Sequence, residues 1–202
     1  MADITGILLA AGQGTRFGAN KLSTPLHGVP LLLHSAQALA ACAQVIVVIK
    51  EGDRELQALI QAAGLPYVIN HAAWRGMGSS IACGVQASQH SDGWCILPAD
   101  MPLVNSDITQ RLVDALRQGA SIVAPYFHNQ RGHPVGFSQR HYASLSELKG
   151  EHGARNILAQ HADKLQRLDT DDSGVIVDID TAADLQQLQR VDPARLTKVQ
   201  IK

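Results

Sequence analysis

No run of 18 apolar residues occurs in this chain, so nothing in it has the length of a membrane-spanning helix. The opening residues, MADITGILLAAG, lack the basic start and long apolar stretch of a secretory leader, and the expectation is a soluble, cytoplasmic protein with no membrane partner. An excess of charge of one sign is missing as well. Seventeen lysines and arginines stand against 18 acidic residues, for a net charge of −1 and a pI near 6.7, so no global field draws a polyanion and nucleic acid is not expected as a partner. Cysteine is scarce: Cys42, Cys83 and Cys95 form no CxxC spacing, which argues against a disulfide framework and reads as buried structural thiols. Neither an HExxH pair, nor a cysteine and histidine cluster, nor a serine-hydrolase elbow is found. Internal repeats, low-complexity tracts and linkers are absent too.

What is present is the material of a globule: 202 residues, 46% hydrophobic and 17% charged, enough for one domain with a sizeable core. The most informative stretch is residues 7–22, ILLAAGQGTRFGANKL, an apolar run broken by Gly12, Gly14 and Gly18. Glycines there let backbone N–H groups turn toward phosphate oxygens, while Arg16 offers a planar fork and Lys21 a compact charge. It is neither a P-loop, since Lys21 follows Asn20 and precedes Leu22, nor a dinucleotide fingerprint, since Phe17 stands where the third glycine belongs. A plain strand-to-helix turn with two solvated basic residues remains the alternative.

Helical and strand patterns then alternate. Residues 30–42 read as a helix, 44–50 as a strand, a helix capped by Asp53 runs to Ala63, and 67–70 form a strand. Residues 79–89 read as a helix, 93–97 as a strand, a helix capped by Ser106 runs to Arg117, and 121–124 form a strand. This order predicts an α/β fold, a mostly parallel sheet covered by helices on both faces. The C-terminal part is less regular: a strand at 134–137, helices around Tyr142 and over 153–161, a strand at 175–179, and a last helix from a Thr181–Asp184 capping box to Arg190.

Asp100 follows the strand that ends in LPA, at the sheet edge where open α/β folds gather ligands, and a carboxylate there can hold Mg²⁺. It can equally cap the following helix, although Asn105 or Ser106 already suits that cap. Asp178 and Asp180 flank Ile179 and would share one face of a strand, with Asp180 the better metal ligand and its place before Thr181 the competing explanation. Ser79 and Ser80, in WRGMGSSIACG, can cap a helix, bond a base or ribose, or do both. His133, between Gly132 and Pro134 in RGHPVGF, is the histidine that stands out.

Taken together and in order, LAAGQGTRFGANKL, GMGSSI, LPADMP, RGHPVGF, GEHGARNIL and VDIDTAADL resemble the molybdenum cofactor nucleotidyltransferases, most closely the CTP:molybdopterin cytidylyltransferase family within the MobA-like NTP transferases. The resemblance implies a Rossmann-like nucleotidyltransferase fold with an irregular C-terminal insertion. It implies one domain over 1–202, with a nucleotide-binding half to about 105 and an acceptor-binding half from about 106 to 190. The implied reaction joins CMP from CTP to the terminal phosphate of molybdopterin and releases pyrophosphate, with Mg²⁺ or Mn²⁺. By the same resemblance Leu9, Ala10, Ala11 and Gly12 hold cytosine and ribose, Gly14, Arg16 and Lys21 the triphosphate, and Gly78, Ser79 and Ser80 the nucleotide. Asp100 and Asp180 match the metal aspartates, and Arg131, Gly132, His133 and Arg155 lie in the acceptor segments. Ala11 replaces a glycine usual in guanylyl relatives and favours CTP over GTP. The chain departs from the pattern at DIDTAAD, where DIDTPED is common, and at Glu151–His152 before GAR. A molybdoenzyme or maturation chaperone is the implied recipient of the product. The competing expectations are another phosphorylated acceptor such as a sugar or polyol phosphate, GTP as donor, a nicotinamide-dependent oxidoreductase, and a non-catalytic pterin carrier.

Overall fold

The computed structural model describes residues 3–12, 17 and 20–190, and Gly14 and Arg16, with most of the glycine-rich loop, lie outside them. The N-terminal segment ITGILL forms β1 (Ile4–Leu9), buried on both faces, with the one polar side chain, Thr5, satisfied by Ser91 Oγ at 2.6 Å. A short hairpin, β2 (Pro25–Leu26) and β3 (Val29–Pro30), leads into α1 (Leu31–Ala38). The repeating units follow: β4 (Gln44–Lys50), α2 (Arg54–Ala62), β5 (Tyr67–Asn70), α3 (Met77–Ala87), β6 (Gly93–Pro98), α4 (Ser106–Arg117) and β7 (Ile122–Phe127). The less regular part holds β8 (Gln130–Arg131), β9 (Val135–Ser138), α5 (Tyr142–Ser146), α6 (Arg155–Gln160), β10 (Leu165–Asp169) and α7 (Ala182–Gln189).

The main sheet runs β10-β7-β9-β6-β1-β4-β5, with β8 paired to β7. Pairings β5–β4, β4–β1, β1–β6 and β7–β10 are parallel, and β9 is antiparallel to both β6 and β7. Alternate side chains of each strand enter two separate cores. Ile4, Leu8, Val47, Ile49, Cys95 and Leu97 pack with α1, α2 and α4 on one face. Ile7, Val48, Trp94, Ile96 and Phe137 pack with α3, α5 and α6 on the other. The expectation of an α/β fold with both faces covered therefore holds. Chain order reverses between β1 and β6, so the crevice beyond their carboxyl ends is the switch point where such folds accept ligands.

Several expectations need correction. Residues 175–179 are not a strand. Asp172 accepts from Gly174 N and starts a 3-10 turn, Ser173–Ile176, and Val175 is buried beneath Gly132, its carbonyl accepting from His133 N at 2.7 Å. Asn105 rather than Ser106 caps α4, through a bond from Asp107 N at 3.0 Å. The first helix stops at Ala38, short of residue 42. Cys42 and Cys83 are only half buried, whereas Cys95 is buried as expected, and all three are free thiols. Strand β10 was not anticipated. Among the described residues no helix is long and apolar enough to cross a membrane.

Candidate active site

Backbone bonds at the switch point bring the carboxyl ends of three segments together. Ala10 N donates to Val48 O at 2.8 Å, Ala99 N to Leu9 O at 3.0 Å, and Ile179 N to Asp100 O at 2.9 Å. The last of these bonds explains a convergence that no single segment could show. Ile179 is buried in a third apolar cluster with Leu26, Leu31, Leu103 and Leu185. In an extended chain its neighbours Asp178 and Asp180 must then face the opposite way, beside Asp100. One carboxylate oxygen from each of Asp100, Asp178 and Asp180 lies within 4.8 Å of the others. Asp178, passed over in favour of its neighbour on sequence grounds, is thus a full member of the cluster. Its carboxyl is pushed above the usual carboxylate range, first by loss of solvent and then by the Asp180 and Asp100 charges.

Lys21 pairs with two members of this group. It opens a 3-10 turn, Lys21–Ser23, and points its ammonium inward, with Nζ 2.8 Å from Asp100 Oδ2 and 3.5 Å from Asp180 Oδ1. Lys21 is 9% exposed, which corrects the picture of a solvated basic residue. Three acidic groups this close repel one another, and a cation among them is what electrostatics requires. A hard divalent ion satisfies the same requirement, and the all-oxygen donor set fits one. A cavity of about 470 Å³ opens beside Lys21 and Asp100, lined also by Leu9, Ala10, Gly12 and the Lys50–Asp53 turn after β4. That turn gave no sequence signal beyond a helix cap at Asp53, because its place beside β1 comes only from strand order.

Ala11 turns away from the cavity into the core beneath α3. Ser79 and Ser80 are buried at the start of α3 and do not line the cavity; both hydroxyls accept from Asn70 Nδ2, at 2.9 and 3.1 Å. Ser79 Oγ also reaches the Ala72 and Gly76 carbonyls. Gly78 packs where a Cβ would stand 2.8 Å from the Lys149 backbone, and its N–H donates to Gly150 O at 2.9 Å. These contacts join the start of α3 to the segment before α6.

The acceptor-segment residues fall on the other flank. Arg131 is half buried on β8, Gly132 packs directly against Val175, and Arg155 is exposed at the start of α6. His133 is half-buried beside them, and its pKa is lowered to about 4, first by loss of solvent around the ring and then by the Arg131 charge, with Arg155 adding and Asp100 opposing. The ring is therefore neutral at pH 7. Among the described residues nothing hydrogen-bonds to its buried Nδ1.

The sequence model of the MobA-like NTP transferase domain matches residues 6–165. Purine catabolism protein PucB of Bacillus subtilis is 29% identical over 93% of this chain and 96% of its own length. Nicotine blue oxidoreductase of Paenarthrobacter nicotinovorans is 30% identical over 92% of this chain and 96% of its own. A molybdenum cofactor guanylyltransferase of Cupriavidus metallidurans is 33% identical over 61% of this chain and 60% of its own. Among solved structures, the rv0371c homolog from Mycobacterium sp. strain JC1 superposes with a TM-score of 0.81 at 27% identity, covering 96% of this chain and 97% of that one. The Rv0371C protein of Mycobacterium tuberculosis in complex with manganese gives 0.77 at 21% identity, covering 93% and 98%.

Proposed function

Because the chain belongs to the MobA-like NTP transferase family and is a nucleotidyltransferase, we propose that it transfers CMP from CTP to the terminal phosphate of molybdopterin, releasing pyrophosphate. The observation that carries this reading is Lys21 Nζ seated 2.8 Å from Asp100, among three carboxylates, at the mouth of a cavity formed by the end of β1. A tightly placed cation and an acidic cluster side by side suit a metal-bound triphosphate. The manganese in the mycobacterial neighbour is in keeping with a divalent ion at such a site.

In this reading an oxygen of the acceptor phosphate attacks the α-phosphorus of CTP, and the bond to the departing pyrophosphate breaks. Both reactants are anionic, and unit charges 4 Å apart repel by about 4 kcal/mol at an effective dielectric near 20. Lys21, and Arg16 from the glycine loop, oppose that repulsion on the triphosphate. Asp100, Asp180 and Asp178 would hold Mg²⁺ or Mn²⁺, which supplies further charge neutralisation to the phosphates. No side-chain nucleophile is required, since the acceptor phosphate is already nucleophilic and catalysis rests on positioning and charge. Leu9, Ala10 and Gly12 would take ribose and base, with Ala11, Gly78, Ser79 and Ser80 shaping that end from behind. Arg131, Gly132, His133 and Arg155 would face the acceptor. The alanine at position 11 supports CTP over GTP. The recipient of the product would be a molybdoenzyme or its maturation chaperone.

The test is pyrophosphate release with CTP, GTP, ATP and UTP in turn, with and without molybdopterin and Mg²⁺. Release that needs CTP, molybdopterin and metal together is expected. Equal release with GTP overturns the base assignment, and release with a sugar or polyol phosphate in place of molybdopterin overturns the acceptor.

A further inference from the structure

We propose that Asp53 is a positioning residue for the catalytic cation, acting through Asn20 on Lys21. The inference rests on the nucleotidyltransferase reading of the Lys21 site. Asp53 is the N-cap of α2, and its Oδ1 accepts from Leu56 N at 3.2 Å. The same oxygen accepts from Asn20 Nδ2 at 3.1 Å, so one atom serves both the helix and the residue that precedes Lys21. Asn20 is in turn the anchor of the lysine's turn. Its carbonyl accepts from Ser23 N at 3.2 Å, from Ser23 Oγ at 3.0 Å and from Thr24 Oγ1 at 3.2 Å. The single Ser23 Oγ proton is shared between that carbonyl and Glu55, in the first turn of the same helix.

Lys21 therefore stands on a turn clamped from one side to the start of α2, while its ammonium is held on the other by Asp100 and Asp180. The clamp has a physical purpose. A lysine side chain carries about 2 kcal/mol of rotamer entropy, and a single charge on four methylenes is effective only if its base is fixed. In the sequence the turn comes directly after Gly12, Gly14 and Gly18. Asp53, in the turn between β4 and α2, fixes that base from the sheet side.

Four variants separate positioning from helix stability. Asp53→Ser keeps the cap of α2, because serine is a good N-cap, but its side chain stops short of Asn20. Asp53→Asn keeps both acceptor roles of Oδ1. Asn20→Ala and the Asn20→Ala, Asp53→Ser double variant complete a cycle. Two readouts are taken: kcat and KM for pyrophosphate release from CTP, and the ¹⁵N signal of the Lys21 ammonium in the ligand-free protein, assigned by its loss in Lys21→Arg. Asp53→Ser and Asn20→Ala should each lower kcat about tenfold, with a smaller change in KM and an unchanged melting temperature. The double variant should fall no further than the weaker single one. Asp53→Asn should recover most of the rate. The ammonium signal should shift or broaden in Asp53→Ser and stay in place in Asp53→Asn. Wild-type kcat in Asp53→Ser, additive losses in the cycle, a rate that tracks melting temperature, or an unmoved ammonium signal overturns the proposal. If the wild-type protein releases no pyrophosphate from any nucleotide, the functional reading fails instead, and the ammonium signal still decides whether Asp53 positions Lys21.

Discussion

Lys21 is paired with acids in the ligand-free protein, and the pairing has a consequence for metal binding. Its ammonium lies where a divalent ion would draw on the same oxygens of Asp100 and Asp180. Removing it should therefore raise affinity for Mn²⁺ in the absence of nucleotide, by about tenfold for a change near 1.4 kcal/mol in Lys21→Met. Titration followed by the free Mn²⁺ resonance checks this, and unchanged or weaker binding would deny the competition. The same variant leaves carboxylates facing one another without a counterion, and the loss of stability should reach about 1–2 kcal/mol by denaturant unfolding. His133 gives a pH test. Its folded pKa of about 4 lies below its ordinary value, so the unfolded chain binds the proton first as pH falls. Stability is then complete above about pH 6.5 and declines toward pH 4, by about 2 kcal/mol at pH 5. His133→Gln should flatten that part of the pH profile, measured by urea midpoints at pH 7 and 5. Lys21 and Asp100 stand out in the sequence, Lys21 as the lysine that ends the glycine-rich stretch and Asp100 as the carboxylate just past the strand that ends in LPA. Burial of Lys21 was not legible, since a lysine in a glycine-rich segment carries no sign of the acids that will enclose it.

At the scale of elements, the approach to α7 shows how a helix start places a functional side chain. Thr181 accepts from Asp184 N at 3.2 Å, and Asp184 Oδ2 accepts from Thr181 N at 2.7 Å and Asp180 N at 3.1 Å. The capping box read from the sequence is present, and it also holds the backbone of Asp180. Thr181→Ala should cost about 1 kcal/mol of stability, and the same variant should weaken Mn²⁺ binding in the presence of CTP. A stability loss with unaltered metal affinity would reduce the box to a helix cap. The preceding segment was misread as a strand because VIVDI has the composition of one. Tertiary packing overrides it: a Cβ on Gly174 would run into the Leu103 carbonyl, and Val175 is used to cover Gly132. Strand β10, LQRLD, escaped notice for the opposite reason, being a half-exposed edge with only two apolar residues in five.

For the whole molecule, the regular alternation of strands and helices from β1 to β7 was enough to give a covered, mostly parallel sheet. Strand order was not legible, because it depends on contacts between segments far apart in the sequence, up to the 89 residues that separate Ile4 of β1 from its partner Gly93 of β6. That order matters for the site: it brings the ends of β1, β4 and β6 together and inserts antiparallel β9, so that His133 arrives from the second half of the chain beside Asp100. Asp178 and Asp180 reach the same rim through one backbone bond to Asp100. The central claim is that these distant acids form a single divalent-metal site for a triphosphate. Mn²⁺ titration by electron paramagnetic resonance in the presence of CTP tests it most directly, on the wild type and on Asp100→Ala and Asp180→Ala. Loss of nearly all CTP-dependent Mn²⁺ binding in each variant, with melting temperature preserved, is the predicted result, and wild-type Mn²⁺ binding in either would contradict it.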